Sequence, residues 1–358
     1  MRFIHLADVH LGAVPDRGYP WSSEREEEIW ESFRRVIAAI RKNPVDFLFI
    51  AGDLFHRQPL LRELREVNYL FSQIPATRVF LIAGNHDYMK EDSFYRNFPW
   101  EPNVTFFQEE KITCVHVKEA NVFVYGMSYQ HQEIKEPLYD SVRPGKEAGC
   151  HILLAHGGDE NHIPINMRAV FAAGFDYVAL GHIHKPQVLQ RDRMAYAGAL
   201  EPIDRNDMGE HGYIEGRYEN GRVKTTFVPF SCRTYQQLVL PLREDSTQFS
   251  VEEMMKMDIM KRGGKNIYRV VLKGFRSPEL LIFPEKLKAL GNIIEVMDES
   301  RPAFDLEALA KRYSGTLIGD YIDYFLSRER TMVEEKALYY GLQALLETGI
   351  TTIVRKEQ

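Results

Sequence analysis

The sequence has few cysteines and no long apolar run, and each scarcity argues against a class of protein. Only 3 of the 358 residues are cysteine. Cys114, Cys150 and Cys232 are far apart and outside any Cys-x-x-Cys motif, so neither a disulfide framework nor a zinc ribbon is supported. No stretch of about 18 uncharged apolar residues exists, as a transmembrane helix would require. The opening residues, MRFIHLADVH, lack the pattern of a secretion signal. We therefore expect a cytoplasmic chain with no membrane partner.

The sequence also lacks an overall positive charge. Its formal net charge is −6, whereas general nucleic-acid binders usually carry a basic excess. The segment 256–276 is a local exception, because seven basic residues stand there against the single acidic residue Asp258. By composition alone this segment fits a solvated surface as well as it fits a binding site.

Apolar runs alternate with amphipathic stretches through the first 230 residues, which is typical of an α/β fold. The predicted strands are 2–7, 46–51, 78–83, 121–126, 151–155 and 176–180, and the predicted helices are 23–42, capped by Ser23, and 59–73. Continuously apolar strands indicate parallel strands buried on both faces. After residue 184 two hairpin patterns follow, the second turning at Glu219-Asn220-Gly221, so we expect the sheet to become mixed.

The length and a change of pattern near residue 232 predict more than one domain. We expect a first domain at 1–232, a small α+β domain at 233–303 and a helical segment at 304–358. The last segment contains two predicted helices with apolar residues on more than one face, which fits either a core or a partner groove. Those apolar residues include Tyr321, Ile322, Phe325, Tyr339 and Leu342.

Five apolar runs end in side chains that bind metals or react. They are followed by Asp8-Val-His10, Gly52-Asp53, Gly84-Asn85-His86-Asp87, His156 and Gly181-His182-Ile183-His184. In open α/β sheets, functional side chains lie just beyond the carboxyl ends of strands. Imidazole, carboxylate and amide ligands suit Mn²⁺, Fe²⁺ or Zn²⁺ better than Ca²⁺ or Mg²⁺, which prefer oxygen ligands. Seven candidate ligands are too many for one ion, but two ions about 3.5 to 4 Å apart would use them all.

The order D-x-H, G-D, G-N-H-D, H and G-H-x-H resembles the five-part signature of the calcineurin-like metallophosphoesterase superfamily. The resemblance covers residues 1 to about 230 and implies a four-layer fold, in which a β-sandwich of mixed sheets is flanked by helices. It implies two divalent transition-metal ions, with Mn²⁺ favoured and Fe²⁺ or Zn²⁺ as alternatives. The implied ligands of the first ion are Asp8, His10, Asp53 and His184, and those of the second are Asp53, Asn85, His156 and His182.

The same resemblance suggests which residues react. His86 matches the catalytic histidine of the superfamily, and we group its neighbour Asp87 with it as a catalytic candidate. His162 lies six residues beyond His156, and it could replace His156 as a ligand or contact substrate. We favour His156, because it is nearer the end of its predicted strand.

Longer motifs resemble one branch of the superfamily, the SbcD-type nucleases of DNA double-strand-break repair. They are GDLFHRQ at 52–58, AGNHD at 83–87, ALGHIHKPQ at 179–187 and YAGALEP at 196–202. His56 matches a histidine that lies beside the catalytic one, whereas Ala199 stands where relatives commonly have serine. The resemblance implies a DNA exonuclease or endonuclease whose C-terminal helices dock on an SMC-like coiled-coil ATPase. The resemblance also implies that the small α+β domain at 233–303 is a cap on the catalytic domain. In that cap, the candidate DNA-binding residues are Lys261, Arg262 and Lys265.

Three functions remain open at this stage. The first is a two-metal DNA nuclease working with an ATPase. The second is a small-molecule or nucleotide phosphodiesterase, which would have a closed pocket and no use for the basic segment. The third is an interaction protein with a vestigial site, and the complete set of candidate ligands argues against it. The sequence leaves open whether the chain forms a homodimer.

Overall fold

A computed structural model describes residues 1–348 of the chain. The chain forms two compact units, Met1–Tyr235 and a second unit that begins at Gln236. Residues 349–358 of the predicted helical segment lie outside the described residues. The predicted subdivision of the second unit at residue 303 stays a prediction.

The first unit consists of strands connected by helices and hairpins. Along the chain its elements are β1 (Arg2–Leu6), α1 (Ser22–Lys42), β2 (Phe47–Ala51), α2 (Leu61–Ser72), β3 (Arg78–Ile82), a 3-10 helix (Phe94–Asn97), β4 (Val104–Phe106), β5 (Thr113–Val117), β6 (Val122–Gly126), β7 (Cys150–His156), α3 (Met167–Ala172), β8 (Tyr177–Gly181), β9 (Gln187–Gln190), β10 (Met194–Tyr196), β11 (Gly212–Glu219) and β12 (Arg222–Pro229). The six strands predicted from apolar runs are all present, and both ends of each strand lie within one residue of the predicted positions.

The strands form two six-stranded mixed sheets. One has the order β12-β11-β1-β2-β3-β4, and the other has the order β5-β6-β7-β8-β10-β9. Neighbours from β1 to β4 are parallel, and so are neighbours along β6-β7-β8-β10. The remaining pairs are antiparallel, and the hairpin of β11 and β12 turns at Asn220-Gly221 as predicted.

The two sheets pack face to face with helices outside them. Phe49 and Phe80 of the first sheet lie in one apolar cluster with Ile152 of the second. Burial of side chains of this size stabilises the fold by about 1.5 to 3 kcal/mol each. On the outer face of the first sheet, Phe33 of α1 and Leu64 of α2 pack in a second cluster, and α3 joins a third cluster on the outer face of the second sheet. This arrangement is the four-layer sandwich that the resemblance implied.

Helix α1 follows its predicted pattern except at its start. Ile29, Phe33 and Ile40 are buried at helical spacing against the first sheet. The predicted cap at Ser23 is wrong, because the N-cap residue is Trp21 and makes no side-chain cap. The Ser22 hydroxyl donates instead to the Pro15 carbonyl at 2.7 Å, which fixes the entry of the helix.

The second unit is a small α+β structure followed by helices. Its elements are β13 (Tyr235–Leu242), α4 (Gln248–Arg262), β14 (Ile267–Arg276), α5 (Pro284–Lys288), β15 (Ile293–Asp298), β16 (Arg301–Pro302), α6 (Leu306–Arg312), α7 (Leu317–Leu326) and α8 (Met332–Thr348). The sheet order is β13-β14-β15, and β16 also pairs with β14. Val251 and Met255 of α4 pack on strand residues such as Val270. Among the residues described, no helix has the length and apolar character needed to cross a membrane.

The C-terminal helices differ from their prediction in number and in burial. The long helix expected after Asp305 is divided into α6 and α7 near Gly315, whose φ is +75°. Ile318, Ile322 and Leu342 form a small core, and side chains of α6 pack against it. Of the two alternatives left open for this segment, a core fits Ile322, Phe325 and Leu342, because all three are buried. Side chains of the additional helix α6 cover this small core, which two helices alone would leave more exposed.

Candidate metal centre

The strand ends bring all seven candidate ligands together. Asp8 and His10 follow β1, Asp53 follows β2, and Asn85 follows β3 in the first sheet. In the second sheet His156 ends β7, whereas His182 and His184 follow β8. Parallel neighbours present their carboxyl ends at one edge of each sheet, and the sheets face each other. The two sets therefore meet across one end of the sandwich.

The backbone at these strand ends has an uncommon conformation. Positive φ angles occur at Asp8 (50°), His10 (53°), Asp53 (50°) and His182 (98°). Such angles are rare outside glycine and cost about 1 to 3 kcal/mol each, so they persist only where the surroundings enforce them. Here backbone bonds from Asp8 N to Gly52 O (3.1 Å) and from His10 N to Asp53 O (3.0 Å) hold the two loops together.

Two glycines make room for the ligands. A Cβ atom on Gly84 would lie 2.2 Å from Asp53 Oδ1 and 2.7 Å from His156 Nε2. A Cβ atom on Gly52, where φ is +89°, would lie 2.3 Å from His156 Nδ1. Any larger residue at these positions would displace Asp53 or His156.

One group of ligand atoms lies around His10 and His184. Their Nε2 atoms are 3.0 Å apart, and with Asp8 they place one ligand atom each within 4.8 Å of the others. Nδ1–H of His184 donates to Asp207 Oδ2 at 3.2 Å, so Nε2 of His184 is the nitrogen that faces His10. Asp53 Oδ2 lies 3.8 Å from His10 Nε2 on the side of the second group.

The second group lies around His156, His182 and Asn85. Nδ1–H of His156 donates to Ala51 O at 2.9 Å, so its Nε2 is the nitrogen that faces Asn85 Oδ1 (2.9 Å) and Asp53 Oδ2 (3.4 Å). Nε2–H of His182 donates to Asp159 Oδ2 at 2.7 Å, so its Nδ1 lone pair points at Asn85 Oδ1 at 3.0 Å. Without an ion, a proton on a ring nitrogen must bridge these close contacts. A cation in its place could be coordinated by all four atoms, so the residues present fit a metal ion.

The pKa shifts of the candidate ligands run in both directions. Burial lowers the pKa of His10 and lowers that of His182 to about 4, whereas nearby carboxylates raise the pKa of two other histidines. Burial alone would lower the pKa of His156, but the carboxylate of Asp53 raises it to about 9. His184 behaves in the same way, since Asp207 and Asp8 outweigh its burial and raise its pKa to about 9. Burial raises the pKa of Asp8 to about 6. Burial would also raise the pKa of Asp53, yet His156 holds it below the ordinary carboxyl range. Burial thus holds two of the histidines neutral, as metal ligands must be, and two carboxylates supply negative charge beside them, which suits a metal centre.

His86 and His56 lie beside the first group. Their rings stack with centroids 5.1 Å apart, and the ring of His86 is 4.8 Å from that of His10. Nδ1–H of His86 donates to the His56 carbonyl at 3.1 Å, which fixes the orientation of the ring. Burial lowers the pKa of His56, and the neighbouring His86 lowers it further. The structure therefore places both predicted histidines at the rim of the centre.

Asp87 lies beneath the loops and not in the centre. It is fully buried, and it accepts hydrogen bonds from Gly84 N (2.8 Å), Phe55 N (3.1 Å) and the Tyr95 hydroxyl (2.9 Å). Burial raises its pKa to about 7, and the charge of Asp53 adds to the shift. Both oxygens of Asp87 are used to support the loops after β2 and β3. This placement corrects the interpretation of Asp87 as a residue that reacts.

Two carboxylates that sequence reasoning missed hold ligand histidines. Asp207 accepts from His184, and Asp159 accepts from His182. Asp159 also contacts His162 Nδ1 at 2.9 Å, and together with His182 these residues place one ligand atom each within 4.8 Å of the others. The only signal in the sequence was local, because Asp159 stands three residues before His162 in HGGDENH.

The candidate DNA-binding residues lie in the second unit. Lys261, Arg262 and Lys265 at the end of α4 are exposed, and none has an ion pair among the described residues. Other cations of the basic segment are paired, for example Arg269 with Glu295 at 3.0 Å and Lys273 with Glu299 at 3.3 Å. The unpaired positive charge of the segment is therefore concentrated at residues 261–265.

A sandwich of two mixed sheets with imidazole, carboxylate and amide ligands at its strand ends defines a metallophosphoesterase. Comparison with protein families agrees, because residues 1–186 match the calcineurin-like phosphoesterase family. The chain belongs to this family. The resemblance seen in the sequence is thus confirmed, and the family implies a metal-dependent phosphoester hydrolase.

Sequence similarity to a relative extends beyond the first unit. The uncharacterized metallophosphoesterase YhaO of Bacillus subtilis is 29% identical over 323 residues, which cover 84% of this chain and 78% of the relative. The DNA double-strand break repair protein Mre11 of Methanocaldococcus jannaschii is 29% identical over 227 residues, or 59% of each chain. Its namesake in Archaeoglobus fulgidus is 27% identical over 234 residues, which cover 57% of this chain and 51% of the relative. The chain thus spans little more than half the length of these two repair proteins.

Proposed function

We propose that the chain is a two-metal phosphodiesterase that cleaves DNA. The observation that carries the metal site is the convergence of His156 Nε2, His182 Nδ1, Asn85 Oδ1 and Asp53 Oδ2, with both imidazole tautomers fixed by outer hydrogen bonds. In this proposal Asp8, His10, Asp53 and His184 hold the first ion. Asp53, Asn85, His156 and His182 hold the second. The ligand types favour Mn²⁺, with Fe²⁺ or Zn²⁺ as alternatives.

Asp53 is placed to serve both ions. Its Oδ2 lies 3.8 Å from His10 Nε2 in the first group and 3.4 Å from His156 Nε2 in the second. The backbone N–H of His86 donates to Oδ1 at 2.9 Å, which fixes the carboxylate plane. When bound, a pair of divalent ions polarises a phosphoryl oxygen and lowers the pKa of a water toward neutrality.

His86 has the geometry of a proton donor. Because its Nδ1–H is engaged by the His56 carbonyl, its Nε2 is the atom left for a substrate at the rim of the centre. A protonated Nε2 would donate to a phosphoryl oxygen or to the leaving oxygen. His56 stacks on His86 and keeps its ring in that plane. General acid help of this kind contributes about 10² to 10⁴ in rate.

Two observations support DNA as the substrate class. The archaeal relatives are named as DNA double-strand break repair proteins. Lys261, Arg262 and Lys265 also form an exposed cationic group without ion pairs among the described residues, which suits contact with a phosphate backbone. We therefore infer an exonuclease or endonuclease role in DNA repair.

The proposal includes an SMC-like coiled-coil ATPase as partner of the C-terminal helices. Tyr324 (56% exposed), Val333 (77%) and Tyr340 (61%) present apolar surface on α7 and α8. These side chains replace the buried Ile322, Phe325 and Leu342 as the candidate contact surface.

A second candidate is a phosphodiesterase that acts on small molecules or nucleotides. The relative that aligns over 84% of the chain carries only the general name of a metallophosphoesterase. This candidate shares the metal centre and the role of His86, but a small substrate would not require contact with the cationic group of the second unit.

Digestion assays separate the two candidates. The purified chain is incubated with Mn²⁺ and linear duplex DNA, single-stranded DNA or bis-p-nitrophenyl phosphate, and the variant Asp53→Asn serves as the inactive control. Metal-dependent cleavage of DNA and of the small diester supports the nuclease. Cleavage of the small diester alone supports the second candidate. Cleavage of neither substrate with any transition metal would reject the catalytic proposal.

A further inference from the structure

Two ligand histidines are held from outside by carboxylates on different loops. Asp207 lies in the loop between β10 and β11, and its Oδ2 accepts from His184 Nδ1 (3.2 Å), Ile203 N (3.0 Å) and Asp204 N (3.0 Å). Asp159 lies in the loop between β7 and α3, and its Oδ2 accepts from His182 Nε2 at 2.7 Å. Each carboxylate thus touches one histidine of one ligand group.

Each carboxylate is itself fixed by its own loop. The backbone N–H groups of Asn161 and His162 donate to Asp159 Oδ1 at 2.8 Å each, and the His162 ring contacts the same carboxylate at 2.9 Å. The Asp207 loop is fixed at a different place, where Arg25 of α1 donates to the Pro202 carbonyl. The supports of the two carboxylates therefore involve different residues.

The two histidines present opposite ring nitrogens. His184 gives Nδ1–H to Asp207 and turns Nε2 toward His10, whereas His182 gives Nε2–H to Asp159 and turns Nδ1 toward Asn85. An outer carboxylate fixes the tautomer and the ring orientation of a metal-binding histidine and raises its basicity. If the outer carboxylate is lost, the ring can rotate or carry its proton on the wrong nitrogen.

We propose that Asp207 and Asp159 are separate positioning residues, so that Asp207 sets the affinity of the first ion through His184 and Asp159 sets the affinity of the second through His182. This inference rests on the two-metal function proposed above. Loss of such an outer partner typically lowers metal affinity by about 10- to 100-fold.

Solvent exposure decides which loss is larger. The Asp207 side chain is 11% exposed, whereas that of Asp159 is 45% exposed. Water can replace an exposed acceptor more easily than a buried one. We therefore expect Asp207→Ala to lower the affinity for the first ion by about 100-fold and Asp159→Ala to lower the affinity for the second by about 10-fold. His162→Ala should weaken the second ion by less, because the backbone donors of Asn161 and His162 remain.

The test is a Mn²⁺ titration of the full metal-free chain by calorimetry, with the spin-coupled EPR signal of paired Mn²⁺ as a second readout. The variants His10→Ala and His156→Ala assign the two binding steps to the first and second ion. Asp159→Ala should shift only the second step, and Asp207→Ala only the first. Asp159→Asn keeps an acceptor oxygen for His182 and should recover part of the loss.

Controls separate positioning from misfolding. Asp140, which accepts from Asn166 N at 2.8 Å in the same unit, serves as matched control, since Asp140→Ala removes a loop contact without touching a ligand. Asp207→Asn serves as a milder variant should Asp207→Ala unfold the loop, and retention of the second step shows that the unit is folded. If each variant weakens both ions equally, or neither, the inference is wrong. A wild-type chain that binds no pair of ions would overturn the two-metal function and this inference together.

Discussion

Replacement of Asp53 by asparagine is the most direct perturbation of the centre. The change keeps the shape of the side chain and removes one buried negative charge, since Asp53 is 1% exposed. The new amide must also turn its NH₂ group either toward the backbone N–H of His86, which now donates to Oδ1 at 2.9 Å, or toward the converging lone pairs. The first orientation places two donors against each other, and the second turns a donor toward the position proposed for the ions.

The magnitude follows from the spacing of charges. At 3.4 Å, the separation of Asp53 Oδ2 and His156 Nε2, a pair of unit charges interacts by about 5 kcal/mol at an effective dielectric constant of about 20. Since about 1.4 kcal/mol corresponds to tenfold in affinity, Asp53→Asn should weaken ion binding by more than about 10³-fold. Turnover of every phosphodiester should fall with it, because one carboxylate would serve both ions.

The assay combines metal analysis with turnover of bis-p-nitrophenyl phosphate. Asp53→Asn should retain little Mn²⁺ after dialysis, and only high added Mn²⁺ should restore activity in part. Asp140→Asn, a conservative change at an aspartate outside the centre, should bind metal as the wild type does. An Asp53→Asn variant with two bound ions and normal turnover would refute the bridging role.

Three further predictions test other residues. His86→Ala should lower kcat by about 10² to 10⁴ while leaving metal content unchanged, and loss of metal would contradict its assignment as a proton donor. Replacement of Lys261, Arg262 and Lys265 by glutamate should weaken DNA binding and flatten its salt dependence in filter-binding assays, because each phosphate contact adds nearly one unit to the log–log slope; equal loss on the small diester would indicate misfolding instead. Burial lowers the pKa of His5 to about 3, so the unfolded state binds more protons below about pH 6.5 and stability falls as pH falls toward 3. Urea unfolding at pH 7 and pH 5 measures how much free energy of unfolding each protein loses over this pH range. His5→Phe should lose about 2 kcal/mol less than the wild type, and equal losses would argue against a neutral buried His5.

Much of the centre was readable because its ligands are tied to local patterns. Each cluster of candidate ligands follows a run of apolar residues, and such a run predicts a buried strand without knowledge of its neighbours. Asp53 and His156 are far apart in the chain, yet both stand at a carboxyl end, where α/β sheets place functional groups. The order of the five clusters then indicated the family that comparison confirmed.

Local patterns failed where burial depends on distant partners. In the sequence Ile322 and Leu342 fitted a partner surface as well as a core, and the structure places them in a core because α6, which the sequence did not separate from α7, packs against them. Asp87 looked reactive because it adjoins His86, but its oxygens are used by Gly84, Phe55 and Tyr95. The direction in which a side chain points at a strand end depends on loops that pack from elsewhere.

The sequence by itself determined the strands, the family and the set of candidate ligands, since each depends on residue type and on spacing along the chain. Only the tertiary structure decided which nitrogen each histidine offers. Asp159 stands 23 residues before His182, which it holds, whereas Asp207 stands 23 residues after His184. Those separations have no periodicity that a sequence pattern could reveal. A hydrogen bond between two loops exists only after the sheets have brought those loops together.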